Sequence, residues 1–146
     1  MDTRSCNLQL ENQLCFPLYA CSREVTKRYR PCLEELDLTY TQYVAMMVIW
    51  AEGTVSVRDM GRKLYLDSGT LTPVLKNLEA KGMIHRRRST QDERVLLVSA
   101  TDAGLALKEK AAAISTFEME SSGLTADEAA TLRTLLYKLL AGSQEG

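Results

Sequence analysis

A mainly α-helical fold carrying one small β-hairpin is predicted by three features of the 146-residue sequence. Apolar residues recur at steps of three and four through most of the chain. Ser, Thr or Asp opens several of those stretches, and Gly closes three of them. The period changes only once, between Met83 and Ser99, on either side of a polar tip.

The first stretch runs from about Leu8 to Tyr29, where Leu10, Leu14, Leu18, Cys21 and Val25 form one stripe. Proline is tolerated chiefly in a first turn, so Pro17 places the helix start near Leu14 or a kink there. Arg30-Pro31 is expected to close this helix, because a residue before proline avoids helical angles. A separate short helix is then expected over Cys32 to Leu36. Asp37-Leu38-Thr39 reads as a turn and cap for a helix over Gln42 to Trp50, apolar nearly all round and therefore buried. Gly53-Thr54 breaks it, and Ser56 caps a helix over Val57 to Leu64 that places Val57, Met60 and Leu64 on one face. Tyr65 to Gly69 reads as a turn, followed by a helix to Lys81 that Gly82 ends. Met83 to Arg86 and Arg94 to Ser99 read as the strands of the hairpin, with Arg88 to Glu93 its tip. Thr101 or Asp102 caps a helix over about Ala103 to Met119. Gly123 stops that helix, and Thr125-x-x-Glu128 is a capping box for a last helix over Ala126 to Leu140.

Composition narrows the function classes. With 45% hydrophobic and 25% charged residues the chain suits one domain over 1–146 rather than disorder. Its longest apolar run, Tyr43 to Ala51, is less than half of the ~20 residues that span a bilayer, so no membrane partner is expected. Met1 to Asn12 is polar with both charge signs, unlike a signal or transit peptide, and a cytoplasmic location is expected. The four cysteines, Cys6, Cys15, Cys21 and Cys32, all lie in the first 32 residues and contain no CxxC. With a single His in the chain, neither a disulfide framework nor a zinc site is supported, and no metal or cofactor is expected.

Three helices followed by a hairpin is the order of a winged helix-turn-helix domain, here over about 38–100. The helix from Thr70 to Lys81 would be the recognition helix. Such a helix needs short polar side chains at its N-terminal end. Ser68, Thr70 and Thr72 supply them, with Lys76 and Asn77 one turn on; an ordinary solvated helix with a Ser cap fits the same residues. Charge segregation favours nucleic acid. The net charge is only −1, yet Lys81, Arg86, Arg87, Arg88 and Arg94 face just two acids, Asp92 and Glu93, with Arg58, Arg62 and Lys63 on the preceding helix. The flanking segments, about 8–36 and 101–141, carry apolar stripes (Leu105, Ile114; Leu132, Leu135, Leu136, Leu139). These are too large for one small domain to cover, so they are expected to form a homodimer.

The run Asp67-Ser68-Gly69-Thr70-Leu71-Thr72-Pro73-Val74-Leu75-Lys76, then Lys81-Gly82-Met83-Ile84 and Asp92-Glu93-Arg94, resembles the MarR family of winged-helix repressors. Asn12-Gln13-Leu14-Cys15-Phe16 with Leu38-Thr39-Tyr40-Thr41-Gln42-Tyr43 is similar to its organic-hydroperoxide-sensing OhrR branch. The likeness spans roughly Leu8 to Ala113. It implies a non-enzymatic, DNA-binding repressor: a dimer formed by the first and last helices on a pseudo-palindromic operator of double-stranded DNA. It also implies that Arg94 enters a minor groove, steadied by Asp92.

For the thiol, Cys15 lies just before Pro17, where a helix start would place its sulfur at the positive end of the helix dipole. Tyr19 is one turn on. By the resemblance Cys15 is the oxidant-sensing thiol, with Tyr29 and Tyr40 as phenol donors from the partner chain, and organic hydroperoxide is the signal. The residues by themselves favour Cys15 as a small apolar filler of a helix interface; the resemblance reverses that. Cys21 is expected in the core, and Cys6 and Cys32 have no donor set. Many relatives carry a second cysteine near the position of Glu120; this chain has none. Oxidised Cys15 is therefore expected to be capped by a low-molecular-weight thiol or oxidised further. Two other functions stay open at this point: a repressor gated by a small aromatic ligand, and a thiol peroxidase.

Overall fold

The computed structural model describes residues 8–144, so expectations for Cys6 lie outside the described residues. Six α-helices and a three-stranded antiparallel sheet follow a short 3-10 turn at Leu10–Asn12. The helices are α1 (Cys15–Glu35), α2 (Tyr40–Glu52), α3 (Val57–Leu64), α4 (Ser68–Ala80), α5 (Asp102–Ser121) and α6 (Ala126–Gln144). The strands are β1 (Thr54–Ser56), β2 (Ile84–Arg88) and β3 (Leu96–Ala100), in the order β1-β3-β2. The chain falls into two compact units, Met1–Lys110 and Ala111–Gly146, the division lying within α5.

In the first unit, most helix ends obey local rules. Thr39 and Gln42 form a reciprocal capping box at α2, and Ser56 Oγ accepts the Asp59 amide at the start of α3. Both α1 and α4 end in Schellman turns. Leu38 N–H donates to Leu33 O and Asp37 N–H to Glu34 O, with Asp37 left-handed at φ 54°. Met83 N–H donates to Leu78 O and Gly82 N–H to Glu79 O, with Gly82 at φ 78°.

Pro31 does not end α1, which runs unbroken to Glu35. A proline removes one backbone bond, here the one to the Lys27 carbonyl. Tyr29 and Leu33, four residues apart on one face, are both buried, and their packing holds the turns on either side of the proline in register. The separate helix expected over Cys32 to Leu36 is thus the last turn of α1. β1 is a second departure. Its three residues are too few to show alternation, and they pair with a strand more than forty residues away: Thr54 opposite Ser99, Val55 opposite Val98, Ser56 opposite Leu97. The hairpin strands also shift. Ile84 to Arg88 pair with Ala100 to Leu96, which moves Arg94 off the strand and into the loop.

Met46, Ile49, Met60, Leu71, Leu75, Leu78, Ile84 and Val98 are the fully buried core. On α4 the three leucines recur at steps of four and three, so the opposite face is left to solvent. Where α5 begins, Trp50 Nε1 donates to the Gly104 carbonyl at 2.9 Å, and Thr101 Oγ1 accepts the Gly104 amide at 3.0 Å.

In the second unit, Thr125 and Glu128 form the expected reciprocal box at the start of α6 (3.0 and 3.1 Å). Leu132, Leu135, Tyr137 and Leu139 of that helix are exposed, whereas Ile114 of α5, expected on a dimer stripe, is buried. Among the described residues no helix is long and apolar enough to cross a membrane.

A Cβ at Gly104 would lie 2.1 Å from the Met83 carbonyl oxygen, a backbone atom that cannot swing aside. Gly104→Ala should therefore lower stability by about 1–3 kcal/mol, seen as a fall in the urea midpoint at unchanged slope. An unaltered midpoint would show that the β2–α5 corner is loose.

Candidate nucleic-acid interface and thiol site

The exposed end of α4 is set by Asp67. Its carboxylate accepts the Thr70 amide at 2.7 Å, so Asp67 rather than Ser68 is the cap. Hydrogen bonds from the Thr70 amide and hydroxyl hold the Asp67 carboxyl below its ordinary range. Ser68, Thr70, Lys76 and Asn77 are exposed. Thr72 is half-buried and donates its hydroxyl to the Ser68 carbonyl at 2.6 Å, which leaves it only acceptor capacity toward a ligand.

The hairpin tip is closed by its own backbone. Ser89 N–H donates to Val95 O at 2.8 Å, and Val95 N–H to Asp92 O at 3.0 Å. Beside it Asp92 grips Arg94 in a fork: Nε to Oδ1 at 3.1 Å and Nη2 to Oδ2 at 3.2 Å, with the Arg94 amide on Oδ1 at 3.0 Å. The Arg94 side chain is nonetheless 90% exposed. Between the tip and the first turn of α3 lies an open cleft of about 470 Å³, lined by Ser56, Val57, Arg58, Asp92, Arg94, Val95 and Leu96.

Ion pairing sorts the basic residues that composition groups together. Arg86 donates to Glu79 at 3.0 Å on the seam between α4 and β2, with its side chain 19% exposed. The same pairing holds the Glu79 carboxyl below its ordinary range. Lys81 turns toward the α1–α2 corner. Arg62 pairs with Asp59, and Lys63 with Glu52. Among the described residues of the first unit's reading side, Arg58, Lys76, Arg87 and Arg88 are exposed and carry no ion pair. Arg58, which sequence reasoning grouped with Arg62 and Lys63, is the one of the three without an ion pair. The Ser56 cap puts it on the first turn of α3, but its place beside the hairpin tip follows from the sheet.

Cys15 is the first residue of α1 and is exposed. The cap before it, Leu14, offers no side-chain acceptor, and Pro17 takes the third helical position. Tyr19 stands one turn up the helix, and the Arg23 guanidinium lies over its ring at 4.7 Å. Tyr29, Tyr40 and Tyr43 form a separate cluster, with ring centroids 5.3, 6.2 and 6.3 Å apart. Cys15 and Tyr29 are fourteen residues apart on one unbroken helix, a rise of ~21 Å. Within one chain, therefore, Cys15 is near Tyr19 but not near the Tyr29–Tyr40 pair. Cys21, expected in the core, is exposed because its stripe on α1 is uncovered within the chain, and Cys32 is half-buried. No group of His, Cys, Asp or Glu among the described residues could hold a metal ion.

A family model for the transcriptional regulators SarA/Rot matches residues 27–111. The chain is 48% identical over 140 residues to the organic hydroperoxide resistance transcriptional regulator of Bacillus subtilis (strain 168), covering 96% of this chain and 95% of that one. Two solved structures of AbfR, a Staphylococcus epidermidis protein, are also similar, each covering 91% of this chain and 93% of that one. Its reduced form bound to DNA has a TM-score of 0.74 at 38% identity. Its overoxidised form bound to DNA has 0.76 at 35%.

Hydrogen bonds from the Arg94 side chain and amide hold the Asp92 carboxyl below its ordinary range. A depressed carboxyl contributes its stabilisation above the unfolded value of ~3.9 and loses it as pH falls through the lower, folded value. The fork should thus be intact throughout the neutral range. A carbon-13 titration of Asp92 should give a midpoint below ~3.9 that rises in Arg94→Ala. A midpoint indifferent to Arg94 would show that the fork does not persist in solution.

Proposed function

The chain belongs to the winged-helix transcriptional regulators of the MarR and SarA/Rot type, and from that premise we propose that it is a cytoplasmic repressor released from DNA by oxidation of Cys15. The observation that carries this is the position of Cys15, exposed at the first turn of α1 with Tyr19 above it, in a chain whose reading face is otherwise complete.

Two chains form the working unit. The uncovered apolar residues of α1 and α6 (Leu14, Phe16 and Val25; Leu132, Leu135 and Leu139) supply the interface, with about 38–100 left to read DNA. Each α4 enters a major groove with Ser68, Thr70, Thr72 and Asn77 at base edges. Lys76, Arg58, Arg87 and Arg88 neutralise phosphates. Arg94, aimed by Asp92, enters the neighbouring minor groove, where negative potential favours a guanidinium. Arg86 supports this face from within through Glu79.

The second chain's Tyr29 and Tyr40 reach Cys15, since those of its own chain cannot. Their hydroxyls donate hydrogen bonds to its sulfur. The thiolate sulfur attacks the O–O bond of an organic hydroperoxide. It becomes a sulfenic acid, and the hydroperoxide is reduced to an alcohol by the two electrons lost from sulfur. A low-molecular-weight thiol then condenses with the sulfenic acid, forming a mixed disulfide and water. No second cysteine stands near Glu120 to do this from within. We assign release to this bulky adduct rather than to overoxidation, because the overoxidised form of the relative AbfR is a DNA complex. The adduct displaces the tyrosines, and the two α4 helices lose the half-site spacing.

A gel-shift titration on a pseudo-palindromic promoter fragment tests this. Wild-type protein should bind and be released by cumene hydroperoxide with a small thiol present; Cys15→Ser should bind and stay bound. Release that persists in Cys15→Ser would indicate gating by a ligand, and absence of DNA binding would favour a thiol enzyme. Arg94→Ala should weaken operator binding by about 1–3 kcal/mol. Arg58→Ala should lower the slope of log affinity against log salt by about one, alike on all sequences. A slope unaltered in Arg58→Ala would remove Arg58 from the interface.

A further inference from the structure

Lys81 belongs to the basic run that composition assigns to the reading face, yet its ammonium is turned away from it. As the C-cap residue of α4 it closes the recognition helix. Its Nζ donates to Gln42 Oε1 at 3.2 Å and to the Asp37 carbonyl, with the Asp37 carboxylate 3.7 Å away. Asp37 is the left-handed residue of the turn ending α1. Gln42 is the buried polar side chain of the described core, 3% exposed. Its Oε1 also accepts the Thr39 amide at 3.0 Å, and its own amide donates to Thr39 Oγ1 at 3.2 Å. One ammonium therefore ties together the end of α1, the first turn of α2 and the end of α4.

The same first turn of α2 carries the phenols. Tyr40 is its first residue and Tyr43 its fourth, with Gln42 between them, and both rings pack on Tyr29 of α1. If this turn slid against α4, the half-buried Lys81 charge would lose its acceptors, a costlier outcome than moving the two together.

We propose that Lys81 and Gln42 are positioning residues that couple the Tyr29–Tyr40 cluster to the recognition helix. The bridge holds α4 in its DNA-competent setting and carries a displacement of the tyrosines to it. This presupposes the Cys15 sensing proposed above.

The test measures operator Kd for reduced and oxidised forms of wild type and Lys81→Met, which keeps the apolar stem and removes the donors. A wild type that hydroperoxide does not release overturns the sensing function itself. Given release, Lys81→Met should be oxidised at Cys15 at the wild-type rate by intact mass. Its oxidised-to-reduced Kd ratio should fall about fivefold or more. Lost stability alone would not move that ratio, so a ratio equal to wild type overturns the coupling. Should Lys81→Met fail to fold, amide hydrogen exchange in the wild type decides. Oxidation should lower protection of the Gln42 and Lys81 amides together, and a loss confined to one side overturns the proposal.

Discussion

The burial of Leu71, Leu75 and Leu78 on one face of α4 is the constraint on which the rest of the molecule depends. All three are fully buried, and burying each contributes about 1.5–3 kcal/mol. Turning α4 about its axis by even one residue, ~100°, would drive them into water and draw polar groups into the core. Ser68, Thr70, Lys76 and Asn77 are therefore held outward by what lies behind them. The cap at Asp67 and the turn at Gly82 then decide where that outward face begins and stops.

Electrostatics refines this face rather than creating it. The chain is nearly neutral, and its acids work by pairing off cations that would otherwise blur the footprint. Glu79 occupies Arg86, Asp59 occupies Arg62 and Glu52 occupies Lys63. Asp92 has a different part. Its fork leaves Arg94 exposed but limits its rotamers, so in the proposed docking less entropy is lost when the guanidinium enters a groove. A carboxylate near phosphates costs some attraction; what it contributes is direction.

The thiol region follows a contrasting logic, because a single chain does not complete it. Cys15 and Tyr29 ride one rod that keeps them apart. The apolar Leu14, Phe16 and Val25 near Cys15 are exposed, and Tyr29, with Tyr40 packed on it, sits at the far end of the helix. In the proposed function, sensor and donors meet only when a second rod lies against the first.

What the sequence determined by itself was governed by neighbours within a turn or two. The Thr39 cap, the capping box at Thr125, the Ser56 cap and the Gly82 stop are of this kind. Each depends on residues at most four positions apart. The polar start of α4 was legible for the same reason, and the Asp92–Arg94 pair through the resemblance to the MarR family. Tertiary structure alone decided which charges were available and which elements crossed long distances. Lys81 meets Gln42 across thirty-nine positions and Asp37 across forty-four. β1 has no identity until β3 lies beside it, and Cys21 is exposed rather than in its expected core. Composition places a charge on a chain, but only packing settles whether an acceptor, a carboxylate or water stands in front of it.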